Sequence, residues 1–179
     1  MLQFLVRLFA GLRAMLTARP KSTASGAAAV LAATALFVGP WEGERTEAYL
    51  DRIASPPVWT VCYGETKGVK AGDRYTPEQC LTMLQQSLAV YHAQLSACLP
   101  SLPAQPQGVQ VALTSWTYNV GAGAACGSTL VKLAKAGDWP GACRQLSRWD
   151  KAGGKQVRGL TNRRAAEQRL CLEALGVKA

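Results

Sequence analysis

The hydrophobic and polar positions divide the chain into an uncharged N-terminal stretch and a longer body in which short patterns alternate. Residues 22–41 contain no charged side chain, and the preceding residues 1–21 contain four basic and no acidic ones. A helix of twenty residues is about 30 Å long, which matches the hydrocarbon core of a bilayer. The pattern therefore predicts a membrane-inserting helix at residues 22–41 behind a basic cytoplasmic segment, in an N-in, C-out orientation.

This span is only weakly hydrophobic for a membrane helix. Thirteen of its twenty residues are Ala, Gly, Ser or Thr, which gain little from transfer into lipid. Three interpretations stay open: a weak anchor that can leave the membrane, a secretory signal cleaved at the A-x-A site Ala33–Ala35, and a buried core helix. The composition favours the weak anchor, and the basic prefix and the length of the span argue against the core helix.

The chain after residue 41 predicts a mixture of helices and strands. Glu42–Tyr49 is compatible with a helical turn or two, and Val58–Tyr63 predicts a strand because it is rich in β-branched and aromatic residues. A Thr-Pro pair at Thr76 is typical of a helix start, and that helix should run to about Cys98. Further helices are predicted at about 106–120, 127–136, 138–149 and 160–175. The fold class is therefore α+β, with a small strand-containing lobe followed by a larger helical lobe.

Charge and cysteine content narrow the classes of protein. Lys and Arg outnumber Asp and Glu by 20 to 11, so the chain carries a net charge of +9 and should be drawn to polyanions. It shows no nucleic-acid-binding motif, and nucleic acid is not predicted as a partner. The cysteines form no CxxC pair, and the lone His92 leaves too few partners for a zinc site and argues against a Ser–His–Asp triad.

The wide spacing of the six cysteines favours three disulfides over the alternative of six buried thiols. Disulfides require an oxidising compartment such as the periplasm. The cysteines are Cys62, Cys80, Cys98, Cys126, Cys143 and Cys171.

A cluster of carboxylates directly follows the uncharged span. Glycoside hydrolysis uses one carboxylic acid to protonate the leaving oxygen and usually a second carboxylate to activate water or to attack the sugar. By spacing alone Glu42, Glu44 or Glu47 could partner Asp51. Acids on a surface helix are more often a solvated face, so spacing does not choose among them.

Several motifs follow one another in an order that is typical of one enzyme family. The first two are W-E-G-x-x-x-x-A-Y-x-D at Trp41–Asp51 and W-T-V-C-Y-G-E-T at Trp59–Thr66. The later ones are Tyr118–Gly123, Cys126–Leu130, Ser147–Trp149, Ala152–Lys155 and Gly159–Glu167. Together they resemble the phage lysozymes, or endolysins, of glycoside hydrolase family 24, over about residues 41–175. The resemblance implies a lysozyme-like muramidase domain at residues 42–179, with a cleft between its two lobes and no cofactor or metal.

The resemblance also implies roles for individual residues. Glu42 corresponds to the general acid, Asp51 to the base for the attacking water, and Thr60 to a hydroxyl that orients this water in an inverting reaction. We expect partial burial to keep Glu42 protonated and a wetter setting to keep Asp51 ionised. One further arginine, Arg163 or Arg164, should lie near Glu42 and orient it. The residues expected to line the saccharide cleft are Tyr118, Asn119 and Ser128.

The cysteines and two departures from the family pattern complete this comparison. Relatives often carry cysteines at four of the six positions, and the predicted pairs are Cys62–Cys80, Cys98–Cys126 and Cys143–Cys171. The loop Arg52–Trp59 is longer than is common in the family, which puts the placement of Thr60 at risk. Glu65 replaces a histidine found in many relatives, so the ion pair made by that histidine should be absent.

The family includes signal-anchor-release endolysins, and residues 22–41 resemble their anchor. This resemblance implies a peptidoglycan-cutting enzyme that is held in the inner membrane and then released into the periplasm, where it lyses the host. An inserted helix would hold Glu42 at the lipid surface, and loss of the membrane potential would favour release. A functional dependence on a holin and a monomeric state are also expected. The rival hypotheses are a secreted muramidase with a cleaved signal peptide and a non-catalytic, membrane-anchored wall-binding module.

Overall fold

The computed structural model describes residues 23–52 and 56–178. The predicted basic segment 1–21 lies outside these residues. The α-helices and strands are α1 (Thr23–Glu42), β1 (Arg45–Asp51), β2 (Val58–Cys62), α2 (Pro77–Cys98), α3 (Gln107–Val120), α4 (Ala122–Gly127), α5 (Thr129–Lys135), α6 (Trp139–Arg144), β3 (Lys151–Ala152), β4 (Lys155–Gln156) and α7 (Arg158–Ala174). Two short 3-10 helices, Leu102–Ala104 and Gln145–Arg148, complete the helical part. Helices predominate over two small antiparallel sheets, as the α+β prediction requires.

Helix α1 packs along one face against α2 and α3. Its buried side chains Val30, Thr34, Ala35 and Val38 recur at helical spacing. Two of them, Ala35 and Val38, pack with the buried leucines of α2, Leu84 and Leu88. The side-chain amide of Gln107 at the start of α3 also donates to the backbone carbonyl of Ala29, at 3.0 Å. The segment predicted as a membrane span is therefore, in this structure, a helix docked on the body of the molecule.

Among residues 23–52 and 56–178, no helix combines the length and the apolarity needed to cross a membrane.

The hairpin after α1 corrects one prediction. Glu42–Tyr49 does not form helical turns, because α1 ends at Glu42 and Gly43 adopts a φ of +71°, the left-handed conformation that terminates helices. The chain then enters β1, which pairs with β2 in the register Tyr49↔Thr60 and Asp51↔Val58. Backbone bonds from Ala48 to Asp73 and from Tyr75 to Thr46 hold the other edge of β1. Pairing on both edges outweighs the local helix preference of this acidic segment.

The helical lobe follows the sequence pattern closely. Helix α2 begins with a complete capping box, in which the Thr76 hydroxyl accepts from the Gln79 N–H and the Gln79 side chain accepts from the Thr76 N–H. Helix α3 is buried over Gln107–Thr117 and crosses α7. A methyl group on Gly108 would lie 2.8 Å from the Ala174 Cβ, so glycine permits this close crossing. The main core forms around Trp116 and the surrounding leucines of this lobe.

The remaining helices differ from prediction mainly at their ends. The stretch predicted as one helix over 138–149 is α6 followed by a 3-10 helix, and the helix predicted over 127–136 is the shorter α5. Helix α4 is an addition, because it occupies the gap between the helices predicted at 106–120 and 127–136. Only Gly121 breaks the chain direction, with a φ of +85°, and Gly123 continues the new helix.

Three disulfides join the elements, and they are the predicted pairs. Cys62–Cys80 links β2 to α2, Cys98–Cys126 links α2 to α4, and Cys143–Cys171 links α6 to α7. The first bond ties the strand-containing lobe to the helical lobe, and the other two lie within the helical lobe.

Candidate active site

Glu42 is the last residue of α1, and the buried arginine Arg163 of α7 holds its carboxylate. The Arg163 Nη1 donates to the Glu42 Oε1 at 2.6 Å, a distance typical of a strong charge-assisted bond. The Glu42 side chain is 23% exposed and the Arg163 side chain 4% exposed. The arginine therefore lies behind the carboxylate, while part of Glu42 remains open to solvent. Of the two arginines predicted to orient Glu42, Arg163 makes this contact.

A buried polar cluster surrounds Arg163. The Glu167 carboxylate, one turn further along α7, accepts from the Arg163 Nε at 3.3 Å and from the Ser115 hydroxyl of α3 at 2.6 Å. The Arg164 guanidinium reaches the same carboxylate and also donates to the Asn119 Oδ1 at 3.1 Å. Burial lowers the pKa of Arg164 to about 10, against the opposing effect of Glu167. The side chains that support Glu42 are thus fixed before any substrate binds.

Asp51 and Thr60 lie on the same face of the β1–β2 hairpin. Thr60 is opposite Tyr49, and Asp51 follows Tyr49 by two positions, so the three side chains share a face. Diagonal neighbours of this kind are about 7–8 Å apart at their backbones. Thr60 is buried, and its hydroxyl donates to the Val58 carbonyl at 3.3 Å. The long loop before β2 has therefore not displaced Thr60 from the strand ladder.

The three residues predicted to line the cleft have different surroundings. The Tyr118 hydroxyl donates to the Tyr63 carbonyl at 3.2 Å, which joins α3 to the end of the hairpin. Burial, with Glu42 and Glu65 nearby, raises the pKa of Tyr118. Asn119 is exposed and is oriented by Arg164. Ser128 is buried, and its hydroxyl caps α5 by accepting from the Val131 N–H at 3.1 Å. A saccharide contact for Ser128 stays a prediction beside this capping role.

Glu65, which the sequence analysis interprets as a departure from the family pattern, contacts α2. Its carboxylate accepts a hydrogen bond from the Ser87 hydroxyl of α2. This hydrogen bond links the end of the β1–β2 hairpin to the helical lobe. Among the described residues, no group of three or more His, Cys, Asp or Glu side chains could hold a metal ion.

Sequence reasoning assigned no role to Ser115 and Glu167. For Glu167 a signal was present, because an acid three and four residues after two arginines on a helix lies beside both of them. For Ser115 no local signal exists, since its contact depends on the crossing of α3 with α7.

Comparison with known proteins identifies the family. Residues 39–167 match the family model for phage lysozyme. The chain belongs to the phage lysozyme family. It is 39% identical to the SAR-endolysin of Enterobacteria phage P21 over 155 residues, which cover 84% of this chain and 92% of that protein. It is also 39% identical to the SAR-endolysin of Pseudomonas phage phiKMV over 150 residues, which cover 81% of this chain and 89% of that protein.

A solved structure supports the same assignment. The active form of the P1 phage endolysin Lyz matches with a TM-score of 0.69 at 25% identity, over 86% of this chain and 95% of that chain. This phage lysozyme is therefore a glycoside hydrolase with the lysozyme fold, and the prediction made from its motif order is confirmed.

Proposed function

We propose that this phage lysozyme hydrolyses the β-1,4 bonds between N-acetylmuramic acid and N-acetylglucosamine in bacterial peptidoglycan. The observation that carries the proposal is the 2.6 Å bond from Arg163 to Glu42, which holds a partly exposed carboxyl at the base of the β1–β2 hairpin. Family membership and the net charge of +9, which favours anionic wall polymers, support it further.

In this proposal Glu42 is the general acid and protonates the glycosidic oxygen as the bond to the leaving sugar breaks. Asp51 accepts a proton from the attacking water, and the Thr60 hydroxyl orients that water. The shared hairpin face allows these last two residues to act on one water molecule. Attack from the opposite face of the sugar inverts the anomeric centre. Tyr118, Asn119 and Ser128 are proposed to line the saccharide cleft.

The acid role is tested by Glu42→Gln, which keeps the shape of the side chain and removes the transferable proton. The matched control is Glu44→Gln, two residues away and exposed. On a peptidoglycan zymogram and in a turbidity assay, Glu42→Gln should lose about 10²–10⁴-fold in activity, the usual contribution of a general acid. Glu44→Gln should keep wild-type activity. Retained lysis by Glu42→Gln would show that Glu42 is not the acid, and a wild-type chain inactive on peptidoglycan would favour the non-catalytic wall-binding module.

We also propose that residues 22–41 form a weak signal anchor and residues 1–21 a cytoplasmic segment while the chain is in the inner membrane. The body, residues 42–179, would then face the periplasm. The Ala-rich composition supports weak insertion, and relatives carry the name SAR-endolysin. On release, α1 docks on α2 and α3, which is the arrangement of the described chain. Because α1 ends at Glu42, docking the anchor also delivers the acid to Arg163.

The buried face of α1 disfavours the alternative of a cleaved signal. Cleavage after Ala35 would remove Val30, Thr34 and Ala35, which are at most 1% exposed, together with the hydrogen bond from Gln107 to Ala29. The remaining domain would expose the parts of α2 and α3 that this face covers. We therefore propose that the active enzyme retains α1.

Release is tested on the exposed face of α1. Ala28 and Ala32 are exposed, so changing both to Leu makes the segment more hydrophobic without disturbing its docked face. This variant should stay in the membrane fraction and delay lysis, because a more apolar helix partitions more strongly into lipid. Changing both residues to Ser is the control and should not delay lysis. Unchanged timing in the Leu variant would contradict the release proposal.

A dependence on a holin and a monomeric state complete the proposal. Loss of the membrane potential removes one contribution that favours insertion, so we propose that lysis depends on a holin that collapses this potential. The enzyme is proposed to act as a monomer. Delayed lysis in a host that lacks the holin, with prompt lysis after a chemical uncoupler, is the expected result for this dependence.

A further inference from the structure

Glu167 is a buried carboxylate that has no place in the proposed reaction steps. It is fully buried on α7 and accepts hydrogen bonds from three side chains of two helices. These donors are Ser115 at 2.6 Å, Arg163 at 3.3 Å and Arg164 at 3.2 Å. Burying a charge is costly even when it is paired, so stability alone is a weak explanation for this arrangement.

The contacts of Arg163 show what this carboxylate does. The Nη1 of Arg163 binds Glu42, its Nε binds Glu167, and its Nη2 donates to the Ser115 carbonyl at 3.3 Å. All three nitrogens of the guanidinium therefore donate hydrogen bonds, and two of them donate to different carboxylates. Glu42 and Glu167 both hold Arg163 in place, and its positive charge interacts with both carboxylates.

Several other charged groups lie close to Glu42 and Arg163. The cluster contains two arginines and two glutamates, and Arg164 lies close enough to Glu42 for their charges to interact. From α3, Tyr118 faces Glu42, and Glu65 from the end of the hairpin faces Tyr118. Burial raises the pKa of Glu167, and both arginines and the Ser115 hydroxyl act in the opposite direction. The contacts with Arg163 at 3.3 Å and with Arg164 at 3.0 Å have the geometry of ion pairs with a charged carboxylate.

We propose that Glu167 is a positioning residue that locks Arg163 and takes up part of its charge, and so sets the pH range over which Glu42 can act as the acid. This inference rests on the proposed acid role of Glu42. Without the negative charge of Glu167, Arg163 and Arg164 would act on Glu42 alone. The net positive charge beside Glu42 would rise by one unit, so the alkaline limb of the enzyme's pH profile should lie at lower pH.

The test is the pH dependence of kcat/KM for Glu167→Gln, measured on a soluble peptidoglycan fragment. The alkaline limb of the profile should move to lower pH by about one unit, the size expected when one partly screened charge a few ångströms away is removed. KM should change less than kcat, because Glu167 does not touch the substrate. The matched control is Glu173→Gln, an exposed glutamate on the same helix, which should leave the profile in place.

A second variant covers the case in which Glu167→Gln does not fold. Glu167→Asp keeps the negative charge but draws the carboxylate back from Arg163 by one methylene group, so it should move the alkaline limb in the same direction by a smaller amount. A folded Glu167→Gln enzyme with a wild-type profile, or one with lower activity at every pH and no shift, would overturn the inference. An active Glu42→Gln enzyme would instead refute the acid assignment, so the two failures are distinguishable.

Discussion

The burial of one face of α1 predicts which substitutions in this helix lower the stability of the protein. Val38 is fully buried against the leucines of α2, whereas Leu36, two residues earlier on the same helix, is 59% exposed. Val38→Ala removes two carbon atoms from a packed site. The lost transfer free energy is about 1.6 kcal/mol, and the cavity left behind raises the cost to about 2–3 kcal/mol. Leu36→Ala should change stability by less than about 0.5 kcal/mol.

The assay is thermal unfolding of the released, disulfide-bonded chain, followed by far-UV circular dichroism. For a chain of this size the Val38→Ala change should lower Tm by about 5–10 °C, and Leu36→Ala should lower it by no more than about 2 °C. Hydrolysis rates should follow the same order, because α1 carries Glu42. Both changes shorten an apolar side chain in the proposed anchor, so membrane affinity alone does not predict this order. Equal Tm values for the two variants would refute the docking of this face.

Three further predictions concern the helical lobe. Burial lowers the pKa of His92, so this residue contributes stability above its unfolded-state pKa of about 6.5, and the contribution is lost as the pH falls. The urea midpoint should therefore change less between pH 7.5 and pH 5 in His92→Gln than in the wild type. An equal change in the two proteins would contradict the burial effect. Ser128→Ala removes the cap of α5 and should cost about 1 kcal/mol in urea unfolding, so an unchanged midpoint would argue against the cap. Replacing both Cys98 and Cys126 with Ala removes a disulfide with a sequence separation of 28 and should lower the free energy of unfolding by about 3.5 kcal/mol. A decrease of less than about 1 kcal/mol would show that this disulfide constrains the unfolded chain little.

The parts of the fold that local chemistry controls could be predicted from the sequence. The capping box at Thr76 and the apolar spacing that follows it determine α2 within one residue of its observed start. The segment Arg45–Asp51 could not be predicted in the same way. Its acidic residues favour a helix locally, and its strand conformation comes from pairing with β2 and with the turn at Asp73–Tyr75.

The candidate site shows the same division. Glu42, Asp51 and Thr60 stood out because the motifs that contain them follow in order along the chain. The Ser115–Glu167–Arg163 contacts could not be found this way, since they exist only where α3 crosses α7. The uncharged, Ala-rich residues 22–41 are compatible with both a weak membrane span and a docked helix. The docked face could not be predicted from them, because it is defined only by the positions that are buried in the folded chain.

The most direct test of this account is the N-terminal peptide and intact mass of the active enzyme recovered from the periplasm. The active enzyme should contain α1, because this helix delivers Glu42 to Arg163 and buries its own Val30, Thr34 and Ala35. We predict an active enzyme whose N-terminal peptide lies upstream of Val30. An active enzyme that begins at Leu36 would contradict the account, because it would show that hydrolysis does not need the docked helix.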